Sequence, residues 1–269
     1  MRVWRGIYLL AITLIFATPL FADAIPTGTA YMLTDNWGGQ WWDTNKTLDN
    51  TNDDLLCWAA AASNVLKWTG WGDVTGMNTA DDIWMYYQQH WSDLGGDVQY
   101  AWQWWFSGTN PGQGRSGWSQ VVVPGGNFYS EYDIALSAYY HENYMPNTLM
   151  SSVEGYLRSG YGTVVDIFGG GAHAMTVWGI NYDPDIPGQY YGIWVTDSDD
   201  DKKGNNPPAR LRYYSLTHTG NYWYFNDFYG TSGVWYIGEV QALDRNPIPE
   251  PGTLALLSLG VVATLRRKK

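Results

Sequence analysis

The chain has 269 residues, with 15 lysines and arginines against 26 aspartates and glutamates, and a formal net charge of −11 at pH 7. That balance argues against a nucleic-acid partner, which needs a basic surface. The length suits one large domain or two modest ones, and a single cysteine excludes an internal disulfide.

Residues 1–24 read as a secretory signal peptide. Arg2 and Arg5 precede an apolar run over 7–21, and Ala22 and Ala24 form an A-x-A cleavage pattern. The run is short for a transmembrane anchor, and Thr18-Pro19 breaks it. At the other end, Pro249-Glu250-Pro251 leads into a largely apolar stretch over 253–265 and a basic tip, Arg266-Arg267-Lys268-Lys269. The stretch is short for a membrane span, and the tip favours the cytoplasmic side. This tripartite end, taken as residues 247–269, resembles the PEP-CTERM sorting signal of exported proteins in Gram-negative bacteria that make extracellular polysaccharide. The resemblance implies recognition by an exosortase, transient membrane association through the short helix, and delivery to the cell surface or extracellular matrix. Without both ends, 9 basic and 24 acidic residues remain, a charge of −15 that fits a soluble exported protein. The remaining 25–246 is enough chain for one well-formed core.

That body is rich in Trp, Tyr and Gly, with no fixed repeat. Residues 25–48 are irregular, with Trp37, Trp41 and Trp42 near Lys46. Four alanines predict a helix over 57–68, with Asp53 or Asp54 as N-cap and Gly70 as its stop. Thr79 is the expected cap of a second helix over 80–91, and Asp97 of a third over 98–106. Glycines and Pro111 make 107–117 a loop. Val121-Val122-Val123 reads as a short strand, and Asn147 as the cap of a helix over 148–158. After Gly160 the pattern turns to strands, at 163–168, 172–182, 190–196, 210–216 and 234–243. Helices first and an antiparallel sheet second predict an α+β fold rather than a doubly wound sheet. The aromatics have two readings: core filling, or an exposed surface that stacks on sugars.

Cys57 would stand in the first turn of its helix, where unpaired N–H groups and the helix dipole favour a thiolate, the nucleophilic form. The bland alternative is a small buried thiol, but a solitary thiol on an exported chain is open to oxidation, which favours reactivity over packing. A thiol nucleophile needs a base, and the base needs an orienting group. His90, His141 and His218 sit where local roles suffice. His173 differs, because it follows Gly169-Gly170-Gly171 and opens a strand. If the 172–182 and 190–196 strands pair through a turn near 183–188, Asp197 or Asp199 arrives beside His173, and an aspartate there would fix the imidazole's tautomer. The acidic run 197–201 could instead bind Ca²⁺, though it lacks the EF-hand pattern, or be a solvated loop.

Lys46-Thr47, Asp53-Asp54-Leu55-Leu56-Cys57, His173 with Trp178-Gly179, and Val195-Thr196-Asp197-Ser198-Asp199 together resemble the IgG-degrading (IdeS/Mac-type) cysteine endopeptidases. The likeness spans roughly residues 41–199, with no match through 69–160. It implies a papain-like cysteine peptidase fold, α+β, with a helix-rich N-terminal half whose nucleophile helix packs on a C-terminal antiparallel sheet, and no metal or organic cofactor. By position, Cys57 resembles the family's nucleophile, His173 its base, Asp197 the residue orienting that base, Asp199 a supporting acid, and Lys46 the lysine shaping the oxyanion pocket. Trp58 stands where the IgG-cleaving members have glycine, and the Lys46–Cys57 gap is about one residue longer. IgG specificity depends on surfaces outside these motifs and is not carried over. The expectation is an exported cysteine endopeptidase acting on a protein or peptide substrate. The alternatives are a cell-envelope acyltransferase or transpeptidase on the same site, and a non-catalytic glycan- or matrix-binding surface protein.

Overall fold

A computed structural model of the chain describes residues 28–47, 52–74, 76–200 and 210–247. The expected leader over 1–24 and all but the first residue of the expected sorting tail lie outside those residues. β1 (Thr29–Met32) and the short α1 (Leu33–Trp37) lead to α2 (Cys57–Thr69), α3 (Ala80–His90) and α4 (Val98–Ser107). β2 (Tyr140–Asn143) and α5 (Leu149–Arg158) follow. The chain then runs through β3 (Gly162–Phe168), β4 (Ala172–Tyr182), β5 (Tyr190–Thr196), β6 (Arg212–Thr219), β7 (Tyr222–Phe225) and β8 (Tyr236–Leu243). Among the described residues no helix is long and apolar enough to cross a membrane.

The alanine run makes α2 a helix that is apolar on nearly every side, and such a helix must be covered all round. Only Cys57 and Lys67 of its residues escape full burial. It packs against α3 and α4 and against β3 and β4. Gly70, at φ 81°, adopts the left-handed conformation that ends it. α3 begins at the expected Thr79, which forms a capping box with Asp82. Asp97 caps α4 by accepting the Gln99 N–H.

Three local expectations change. The N-cap of α2 is Leu56, with no side-chain hydrogen bond. Asp53 is instead buried and accepts from the Thr47 N–H at 2.8 Å, the Thr47 hydroxyl at 2.9 Å and Gln88 Nε2 at 2.8 Å. Val121 makes only an isolated bridge with Trp91, so no strand forms over 121–123. The N-cap of α5 is Thr148 rather than Asn147, which lies in a preceding 3-10 turn.

The larger correction concerns the sheet, because the papain-like α+β arrangement is not what the chain forms. β3 pairs with β4, β4 with β5, β5 with β6, β6 with β7 and β7 with β8, all antiparallel, and β8 returns to pair with β3. The six strands close into an antiparallel β-barrel, with β1 added to β4 and β2 to β8. Closure leaves the barrel no free edge. α2, with α3 and α4 packed on it, forms a smaller layer against one face of β3 and β4, and α5 packs on β8, β3 and β4 in the second core, so helices do not make up half of the fold. The reason is a strand that the sequence hides. Tyr222–Phe225 is only four residues long, yet through Tyr224 opposite Tyr236 it joins β6 to β8.

Strand alternation explains the continuous apolar runs of β3 and β4. Val164 and Ala174 belong to the helix-side core with Leu56, Ala59 and Trp102, while Val165 and Met175 belong to a second core with Leu149, Val153, Ile193 and Phe225. Both faces of these strands are therefore covered.

Candidate active site

A buried polar network fixes the middle of α2 against the strands that carry the other site residues. Asn64, inside α2, donates to Thr176 Oγ1 on β4 at 3.2 Å and to Thr196 Oγ1 on β5 at 3.4 Å, and accepts the Thr44 N–H at 3.1 Å. Trp178 donates to the same Thr196 hydroxyl at 2.8 Å, and that hydroxyl donates to the Trp42 carbonyl at 2.8 Å. A satisfied buried network of this kind specifies one arrangement, because any shift leaves a polar group unpaired. It locks helix, loop and barrel together about two turns along α2 from Cys57.

The β4–β5 hairpin behaves as its sequence implies. Thr176 lies opposite Thr196, so the residue after β5 returns beside the start of β4. His173 Nε2 lies 2.7 Å from Asp197 Oδ1. Asp197 also accepts the Asp199 N–H at 3.0 Å and the hydroxyl of Tyr229 on its other oxygen. The Cys57 thiol lies in the same cavity wall as His173 and Ala174, close enough for the His173 ring and the Ala174 N–H to act on its charge. With Nε2 taken by Asp197, Nδ1 is the nitrogen left to the sulfur. Asp199 Oδ2 sits 3.5 Å from that Nδ1, and Asp199 Oδ1 lies 2.8 Å from Lys46 Nζ. The buried Lys46 amine also donates to the Asp54 carbonyl, and its own N–H to the Ser198 carbonyl at 3.0 Å. All five residues singled out in the sequence thus meet at one place.

The electrostatics follow from these contacts. Burial pushes the Cys57 thiol up, but the His173 charge and hydrogen bond, the Lys46 charge and the Ala174 N–H outweigh it and leave the thiol below its ordinary range. Burial alone would lower His173, yet the Asp197 and Cys57 charges hold it well above the usual imidazole value. For Asp197, burial acts upward and is overcome by the His173 charge and hydrogen bond, then by Tyr229 and the Asp199 N–H, so its carboxyl stays low. The trio favours thiolate, imidazolium and carboxylate together.

Cys57, His173, Lys46 and Asp199 line a cavity of about 350 Å³, whose walls also include Trp58, Trp235 and Asp166. As the first residue of α2, Cys57 has an N–H without an intrahelical partner, at the positive end of the helix dipole. His173, Asp197 and Asp199 are also the one group of His, Cys, Asp and Glu among the described residues whose ligand atoms lie within 4.8 Å of one another. A divalent ion held there would displace the contacts with Cys57 and Lys46. In the acidic run, Asp200 pairs with Arg212.

The other histidines keep local roles. His90 contacts the Tyr86 carbonyl at 2.7 Å, His141 pairs with Asp244 at 2.6 Å and stacks on Tyr161, and His218 stacks on Trp223. Among the described tryptophans only Trp37 is exposed, while Tyr132 and Tyr144 are exposed tyrosines; most of the other aromatics are buried or half-buried. Tyr229 and Asp166 escape sequence reasoning. Tyr229 holds φ at 51°, an uncommon conformation for a bulky residue, and its hydroxyl reaches a buried carboxylate.

A family model for the PEP-CTERM protein-sorting motif matches residues 247–269. The motif implies export, recognition by exosortase sorting machinery and cell-surface sorting in Gram-negative bacteria. No curated protein matches the chain.

Proposed function

We propose that the protein is an exported cysteine endopeptidase that hydrolyses peptide bonds through Cys57, His173 and Asp197. The observation that carries this reading is the meeting of Cys57 and His173 in the wall of one cavity, with Asp197 Oδ1 at 2.7 Å from His173 Nε2. The Cys57 thiolate attacks the scissile carbonyl and forms the C–S bond. The His173 imidazolium gives its proton to the leaving amine as the C–N bond breaks, leaving a thioester. Neutral His173 then takes a proton from water as the water oxygen attacks, and the thiolate departs. Asp197 holds the ring in one orientation and stabilises its charged form. The Cys57 N–H and the Lys46 ammonium face the developing oxyanion, a donor being worth about 3 kcal/mol of transition-state stabilisation.

The resemblance to the IgG-degrading endopeptidases supports hydrolysis through its site motifs alone. The sorting tail supports action outside the cell. The test is cleavage of a fluorogenic peptide library by the full chain, with iodoacetamide labelling of Cys57. The expected result is cleavage lost in Cys57→Ala and labelling faster than that of a free thiol. Absence of both overturns the reading. Products joined to an added amine, in place of free acids, would assign the site to acyl transfer.

A further inference from the structure

The part of the cavity wall that pairs with Ala174 carries a different chemistry from the part around Lys46 and His173. Asp166 projects from β3 on the same face as Val164, toward the helix layer. Its sheet neighbours are Ala174 on β4 and Glu239 on β8. Ala174 follows His173 directly and offers only a methyl group, which leaves the Asp166 carboxylate open to the cavity. Behind it, the Gln241 amide donates to Asp166 Oδ2 at 2.8 Å and to Asp97 Oδ1 at 3.2 Å. Among the described residues none of Asp97, Asp166 and Glu239 has an ion-pair partner. The cation acting on Asp97, Arg115, is engaged over the Trp118 ring and with the Tyr100 hydroxyl.

A carboxyl kept in a cavity wall without a counter-charge holds its proton, and gives it up to become a carboxylate when a cation enters beside it. The set lacks the spacing for a metal, because the sole metal-compatible cluster among the described residues lies at His173. The rest of the wall suits a long side chain with a charged tip. Trp58 and Trp235 are apolar faces for an alkyl stem. Gly96 lies so close to the Trp58 ring that a Cβ there would approach to 2.3 Å, so its bare backbone also borders the cavity.

We propose that Asp166, backed by Glu239 and Asp97, determines specificity by taking the cationic side chain of a lysine or arginine that flanks the scissile bond. The inference rests on the peptidase reading above and names the substrate class of that site. The raised carboxyls agree with it: burial, then Asp97, Glu239 and the Cys57 charge push Asp166 well above the usual range, and burial, then Asp97 and Glu142, push Glu239 up to about 7.

The test is a positional-scanning fluorogenic peptide library cleaved by the full chain and by Asp166→Asn and Glu239→Gln, with thermal unfolding to show that each variant folds. The expected result is a preference of about tenfold or more in kcat/KM for arginine or lysine over norleucine at one position beside the cleaved bond. Asp166→Asn brings that ratio close to one, and Glu239→Gln lowers it by a smaller factor, so the second variant decides if the first does not fold. Cleavage with no basic preference, or with the same preference in the variants, overturns the specificity assignment and leaves the peptidase reading standing. No cleavage by the wild-type chain, together with no enhanced labelling of Cys57, overturns both.

Discussion

The two walls of the cavity hold the same functional group under opposite conditions. On the His173 side every named carboxylate has a cation. Asp197 faces the imidazole, and Asp199 lies between that ring and Lys46. On the β3–β8 side, Asp166, Glu239 and Asp97 face one another and the neutral Gln241 amide. Paired carboxylates are fixed and ionised, which suits groups that must keep a base in place. Unmatched carboxyls hold their protons more tightly, and an incoming positive charge would favour their ionised form. The difference separates the wall suited to bond breaking from the wall suited to recognition.

The comparison can be broken first at its paired side. Asp197→Asn removes the charge that holds His173 protonated and lets the ring take the wrong tautomer. A loss of about 10³-fold in kcat is expected, together with a fall in the His173 pKa followed by NMR. A loss below threefold would show that Asp197 does not orient the base. Tyr229→Phe removes one hydrogen bond from Asp197 while leaving its charge in place. The expected effect is about tenfold in kcat with KM little changed, and an acid limb of the pH profile moved upward, since Asp197 loses a donor that keeps it ionised. An unaltered pH profile would reduce Tyr229 to packing.

The unmatched side predicts a smaller effect of opposite sign. Glu239 has a folded pKa raised from 4.5 to about 7 by burial, then by Asp97 and Glu142. The folded protein therefore binds that proton more tightly than the unfolded chain. Its contribution to stability is fully present below about 4.5 and is lost as pH rises through about 7. Glu239→Gln should raise Tm at pH 8 and change it little at pH 5. An equal change at both pH values would mean that the carboxylate's charge is not what matters.

The paired side was legible in the sequence and the unmatched side was not, for a physical reason. His173 and Asp197 belong to neighbouring strands joined by a short turn, so local pattern alone brings them together, and the Cys57 helix is marked by its alanines. Lys46 was carried by resemblance and is indeed beside Asp199. The barrel depends on pairings far apart in the chain. β8 must meet β3, with Asp166 opposite Glu239, and the short aromatic β7 must bridge Tyr224 to Tyr236. In the sequence Asp166 is one polar residue inside an apolar strand, and Tyr229 one aromatic among many. Only closure of the barrel brings the first against two other carboxylates and the second against Asp197. The expected papain-like α+β fold, with a helix-rich half packed on an antiparallel sheet, failed at the same point, because no local signal records that the first and last strands of the set are neighbours.

The central claim is that Cys57 exists as a thiolate held by His173. The direct measurement is the rate of Cys57 alkylation by iodoacetamide as a function of pH, in the wild-type chain and in His173→Ala. The account predicts rapid labelling that persists well below the ordinary thiol range near about 8.5, and a profile that moves back to that range or above it when the imidazole is removed. A single titration near the ordinary thiol value, the same in both proteins, would contradict it.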